Sequence, residues 1–172
     1  MGYEKGLLMA SWPNGRPKIP FPYFNEVMTG FEYTAAVGMI YEGMTDDGLL
    51  CIKNIRDRYN GQKRSPFDEA ECGHHYARAM ASWASVIALT GFHYSAVDKT
   101  IEFAPNEGTF FWSDGYAWGI VTISKSNEKY SVELKCEYGK LSVSEFVLKG
   151  VGKKRIKQRE LKHGESLIVS LD

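Results

Sequence analysis

The sequence is poor in the features that mark the specialised protein classes. Its three cysteines, Cys51, Cys72 and Cys136, are odd in number and lie far apart, so no disulfide framework is expected and a reduced, cytoplasmic chain is the default. No stretch approaches the roughly 18 consecutive apolar residues of a membrane-spanning helix. The opening Met1–Gly6 lacks the apolar region of a signal peptide and the Ser or Thr of a myristoylation site. Net charge is absent too, with 21 Lys and Arg against 21 Asp and Glu. Proline is scarce, and four of the six fall at positions 13, 17, 20 and 22, so the first thirty residues read as an irregular, extended arm. What is present is ordinary for a globular chain of 172 residues: 44% hydrophobic and 24% charged, which excludes a disordered polymer. That length supports one domain, or one with a small appendage.

The balanced charge is unevenly spread. Residues 149–162 hold seven basic side chains against Glu160, a local charge of +6, leaving −6 for the other 158 residues. Such a stretch suits a polyanion or the wet, lysine-rich face of an edge hairpin. No stacking aromatics interleave with the charges, as nucleic-acid grooves prefer, so the edge hairpin is the favoured reading and no nucleic-acid partner is expected.

Periodicity divides the chain. Ala36, Met39, Ile40 and Gly43 recur at helical spacing. Thr45, Asp46 and Asp47 then offer an N-cap, and Leu49, Ile52, Ile55, Arg56 and Tyr59 continue one face to a stop at Asn60-Gly61. Tyr76, Met80, Trp83 and Ile87 mark a third helix, with Gly91 placed as its C-terminal glycine. Beyond Gly91 the period becomes two. Tyr130, Val132, Leu134, Cys136 and Tyr138 alternate with polar residues, and strands are expected at 100–103, 116–123, 141–148, 155–161 and 166–171. The fold class is therefore α+β: three N-terminal helices over residues 1–92, then an antiparallel β-rich half of about six strands over 93–172. Phe110, Phe111, Trp112, Tyr116 and Trp118 could stack on sugar rings, but burial at the helix–sheet junction is the favoured reading for most of them.

The densest polar cluster is Phe67–Arg78, which includes Asp68, Glu69, Glu71, Cys72, His74 and His75. Glu71, Cys72, His74 and His75 are metal-ligand types, but adjacent histidines on a helix point about 100° apart and no standard ligand spacing is present. Cys72 with His75 one turn later could form a nucleophile pair, without any family signature. A capped, polar first helical turn explains the residues equally well. The last reading is a ligand site. Pro66 and the acidic run put Glu69 in the loop before the helix, from which it could curl toward Arg78, and a carboxylate with a guanidinium suits sugar hydroxyls.

The run Phe67–Trp83 resembles the last barrel helix of the family 116 glycoside hydrolases, the group of the non-lysosomal glucosylceramidase and bacterial β-glucosidases. Pro22–Tyr33 is similar to that family's "PYxxEVWTGxEY" segment, Ile55–Gly61 to its "ARDRYDG", and Ile101–Pro105 to its "IGFAP". The matches are collinear and cover roughly residues 7–120. The resemblance implies that the helical part is a slice of an (α/α)6 barrel and that Glu26, Glu69 and Arg78 line the glucose subsite of a retaining β-glucosidase. Met28 and His74 depart from the family's tryptophan and aspartate. The family's nucleophile and acid/base belong to segments that nothing here resembles, so no catalytic residue is assigned and the chain alone is expected to be inactive. No metal and no cofactor are expected. The expected partners are a weakly bound glucoside or other sugar, and either a second copy of the chain or the N-terminal part of the enzyme. The alternative is a stand-alone, non-catalytic carbohydrate-binding or protein-interaction module.

Overall fold

A computed structural model describes residues 3–15, 18–19, 27–67 and 78–172, with the backbone alone at Arg78 and Gln158. The fold is mixed α+β and divides into two compact units, Met1–Ser85 and Val86–Asp172.

In the first unit, α1 (Thr29–Tyr41) and α2 (Thr45–Arg58) are joined by a turn at Gly43, whose φ of 84° is left-handed and suits glycine. Thr45 is the first residue of α2 rather than its cap, and Asp46 and Asp47 supply negative charge to the first turn. The helices approach most closely at Gly48, where an added Cβ would lie 2.7 Å from the Ala36 carbonyl oxygen. This close approach rotates the buried face of α2 onto Gly48, Ile55 and Arg58, leaving Leu49 and Arg56 exposed, contrary to the face expected from spacing. The expected third helix is also different. Its described part is a 3-10 turn, Arg78–Ser82, followed by a seven-residue α3, Trp83–Leu89, and both Met80 and Trp83 are exposed. The Ser82 hydroxyl donates to the Ala79 carbonyl at 2.6 Å, tying the turn to itself. Among the described residues no helix is long and apolar enough to cross a membrane.

The second unit is two facing four-stranded sheets. One has the order β1 (His93–Ser95), β2 (Thr100–Phe103), β6 (Lys140–Leu148), β7 (Gly152–Lys162). The other has the order β3 (Gly108–Ser113), β4 (Trp118–Ser126), β5 (Lys129–Tyr138), β8 (Ser166–Leu171). Eight strands replace the six expected, and β2 pairs with β6 in parallel where antiparallel pairing was expected throughout. Alternate residues from both sheets meet in one core that includes Ile101, Phe103, Leu141, Phe146, Leu134 and Val169. Trp112 is fully buried there, its indole N–H shared between the carbonyls of Ile120 and Lys135 at 3.3 Å each. Gly119 makes this possible, since a Cβ would fall 1.9 Å from the Lys135 oxygen and 3.0 Å from the indole ring. By contrast Phe111, Tyr116 and Trp118 are exposed, and Trp112 is buried in the core between the sheets rather than at a helix–sheet junction.

The basic stretch forms most of β7, an edge strand. Lys154 lies opposite buried Phe146 and Arg159 opposite buried Val143, which places charge on the core side of the edge. Lys153 and Arg155 approach Glu145 at 3.6 and 3.8 Å. Lys154 and Arg159 are themselves exposed, and charges along an edge strand deter strand addition by another molecule.

Candidate functional site

Among the described residues, the helical unit is organised around a buried ion pair. Glu32 in α1 is 1% exposed and Arg58 at the end of α2 is 8% exposed, and Arg58 Nη2 donates to Glu32 Oε2. Two such groups leave water only if their remaining polar atoms are matched. Here the other carboxylate oxygen accepts the Leu7 backbone N–H at 2.7 Å, while Arg58 Nη1 donates to the carbonyls of Lys5 and, at 3.3 Å, Asn54. The N-terminal arm therefore straps across the pair. Gly6 permits the contact, because a Cβ there would meet Val27 Cγ1 at 2.6 Å and the Arg58 guanidinium at 2.9 Å. Cys51 donates to the Glu32 backbone carbonyl at 3.7 Å, and burial, helped by the Glu32 charge, pushes its thiol pKa up. A thiol so placed is a poor nucleophile.

Against this pair lies a groove of about 740 Å³, walled by Tyr3–Lys5 of the arm, by Leu50, Asn54 and Asp57 of α2, and by Asn60, Lys63 and Arg64. Arg64 holds Glu4 in a two-pronged contact at 2.5 and 3.0 Å and donates to the Arg58 carbonyl at 3.3 Å. Its guanidinium also lies over the Tyr59 ring at 5.9 Å. Asn60 shapes the loop by accepting the backbone N–H groups of Gln62 and Lys63 at 3.0 and 2.9 Å. The hydrogen bond from Arg64 lowers the Glu4 carboxyl below its ordinary pKa, and that from Lys53 does the same for Asp57. Carboxylates held ionised in this way accept hydrogen bonds well and are poor general acids.

Of the residues expected from sequence, Glu26 and Glu69 lie outside the described residues. Arg78 opens the 3-10 turn, and its side chain is outside them as well. The cluster at 68–77 is likewise outside. What sequence reasoning missed is the pair Glu32–Arg58 and the clamp Glu4–Arg64. A signal was present for the first, since Glu32 stands in the segment Pro22–Tyr33 and Arg58 in the segment Ile55–Gly61, each singled out for its resemblance. Comparison with protein-family models and with curated proteins finds no match.

Proposed function

We propose that this chain is the C-terminal part of a retaining β-glucosidase or glucosylceramidase-like glycoside hydrolase. In this reading the helical unit is a slice of an (α/α)6 barrel that supplies glucose-binding side chains, Glu26, Glu69 and Arg78, but neither nucleophile nor acid/base. The observation that carries the reading is the buried Glu32–Arg58 pair, which joins two of the four segments that resemble the family into one folded element. The exposed Met80 and Trp83 fit a surface covered by a second copy or by the rest of the enzyme.

The test is a titration of the full chain with glucose and with a glucose-configured iminosugar, followed by NMR. Millimolar binding that disappears in both Arg78→Ala and Glu69→Gln is expected, with no turnover of aryl β-glucosides. Binding indifferent to both substitutions would refute the assignment of these residues. The second reading, a stand-alone binding module, is favoured by one feature: among the described residues the groove is walled by residues 3–5 and 50–64. It predicts sugar binding that depends on Arg64 and not on Arg78.

A further inference from the structure

A second recess lies at one end of the β unit. It has a volume of about 630 Å³ and is lined by Tyr116, Tyr138, Gly139, Lys140 and His163. Leading into it across three strands is a row of outward-facing rings. Phe111 and Trp118 have centroids 6.3 Å apart, and Trp118 and Tyr138 lie nearly parallel at 6.2 Å. Tyr116 is 89% exposed and Tyr138 62%, so these rings add almost nothing to the core.

The backbone beneath them is nevertheless held firmly. The Asp114 carboxylate accepts the N–H groups of Tyr116 and Ala117 at 2.8 and 2.6 Å, fixing the turn that carries Tyr116. Gly139, at φ 77°, is pressed so closely to that turn that a Cβ would meet the Tyr116 oxygen at 2.4 Å. The third loop is tied in by Gly164 N–H to the Cys136 carbonyl at 2.8 Å and by His163 Nδ1 to the Glu137 carbonyl. A carbonyl only accepts, so Nδ1 carries a proton in this contact. Three loops locked together to present solvent-exposed rings form a pre-organised binding surface.

The two lysines beside the strip each have a carboxylate partner, Lys140 with Glu160 at 3.8 Å and Lys135 with Glu137 at 2.6 Å. Lys162, opposite Lys140 in the β6–β7 ladder, adds positive charge at the edge of the recess, so the aromatic strip and not charge balance is what points to the ligand. The patch is also not broadly apolar, because the same sheet face continues into Thr109, Thr122, Ser124 and Glu133. A narrow aromatic strip edged by one imidazole and one ammonium donor matches a ring with an apolar C–H face and hydroxyls on its rim.

We propose that the Phe111–Trp118–Tyr138 strip and the Tyr116–His163 recess form a binding site for a neutral hexopyranose oligosaccharide. The site is separate from the glucose subsite proposed for the helical unit and does not depend on that reading. The test is calorimetric titration of the full chain with cellopentaose, laminaripentaose and an oligogalacturonate, with far-UV circular dichroism to check folding. At least one neutral pentasaccharide is expected to bind, and Tyr116→Ala and Tyr138→Ala should each weaken it about tenfold or more. Ile168→Ala, on the same sheet face but away from the strip, should bind as the parent does. Binding that survives Arg78→Ala but is lost in Tyr138→Ala belongs to this recess. The reverse pattern places binding in the helical unit and overturns the proposal. So would preference for the oligogalacturonate, absence of any binding, or aromatic variants that change only the oligomeric mass in light scattering.

Discussion

Among the described residues of the helical unit, Glu32 and Arg58 carry the largest single-residue stakes, because each is removed from water and hydrogen-bonded to the other. Replacing Arg58 with Met would strand the carboxylate together with the Leu7 N–H it holds. A loss of about 3 to 5 kcal/mol is expected, measured as a fall in the urea midpoint. The joint substitution Glu32→Leu with Arg58→Met should lose distinctly less, since no uncompensated charge remains. At the exposed end of the groove the effect is smaller and depends on pH. Glu4 has its carboxyl lowered from 4.5 mainly by the Arg64 hydrogen bond, so its contribution is present above that value and lost as pH falls through the lowered one. Acid titration of the folded chain should therefore loosen the Glu4–Arg64 end of the arm as pH falls below about 4.5, while the Leu7 and Lys5 contacts remain. Glu4→Gln should flatten that loss, and an unchanged acid profile in this variant would contradict the role given to the clamp.

Among the elements, those with a strict local rhythm were legible in the sequence. Alternation located β5 to within a residue, and Gly43 with Asn60-Gly61 bracketed α2. β1 escaped notice because three residues carry no period, and β3 because Phe110 and Phe111 side by side hide the alternation that puts Trp112 inside. The parallel pairing of β2 with β6 was not legible at all, since core packing rather than a turn sets the register of strands so far apart in sequence. The groove was hidden for a similar reason: Glu4 and Arg64 are 60 residues apart, and only the folded arm brings them together. What sequence did suggest about β7, a wet basic edge, leads to an element-scale prediction. Replacing Lys154 and Arg159 with Val would give the edge an apolar, β-branched surface opposite Phe146 and Val143. The variant should remain folded by circular dichroism yet show growing light scattering and thioflavin binding with concentration. If it stays as soluble as the parent, edge protection is not the task of these charges.

For the whole molecule, the two units differ in how much core each owns. The eighteen residues of the β core all lie between Phe92 and Leu171, and Ile87 of α3 packs against them. The described part of the first unit buries far fewer apolar side chains, principally Met28, Tyr33, Ala36, Ile40 and Ile55. At about 25 cal/mol per Å² of apolar surface removed from water, the larger share of the hydrophobic stabilisation among the described residues lies in the second unit. A chain of residues 83–172, which keeps α3 whole, should therefore fold alone with a single cooperative urea transition and dispersed amide resonances. Residues 1–82 expressed alone should show a weaker and less cooperative transition, because the described residues of this unit bury fewer apolar side chains to offset the entropy of ordering them. Arg58→Met then serves as an internal check. In the full chain it should disturb the helical unit while the resonances of Val132, Leu134 and Val169 stay in place. If those core signals collapse together with the helices, or if residues 83–172 fail to fold, the β unit does not stand on its own core.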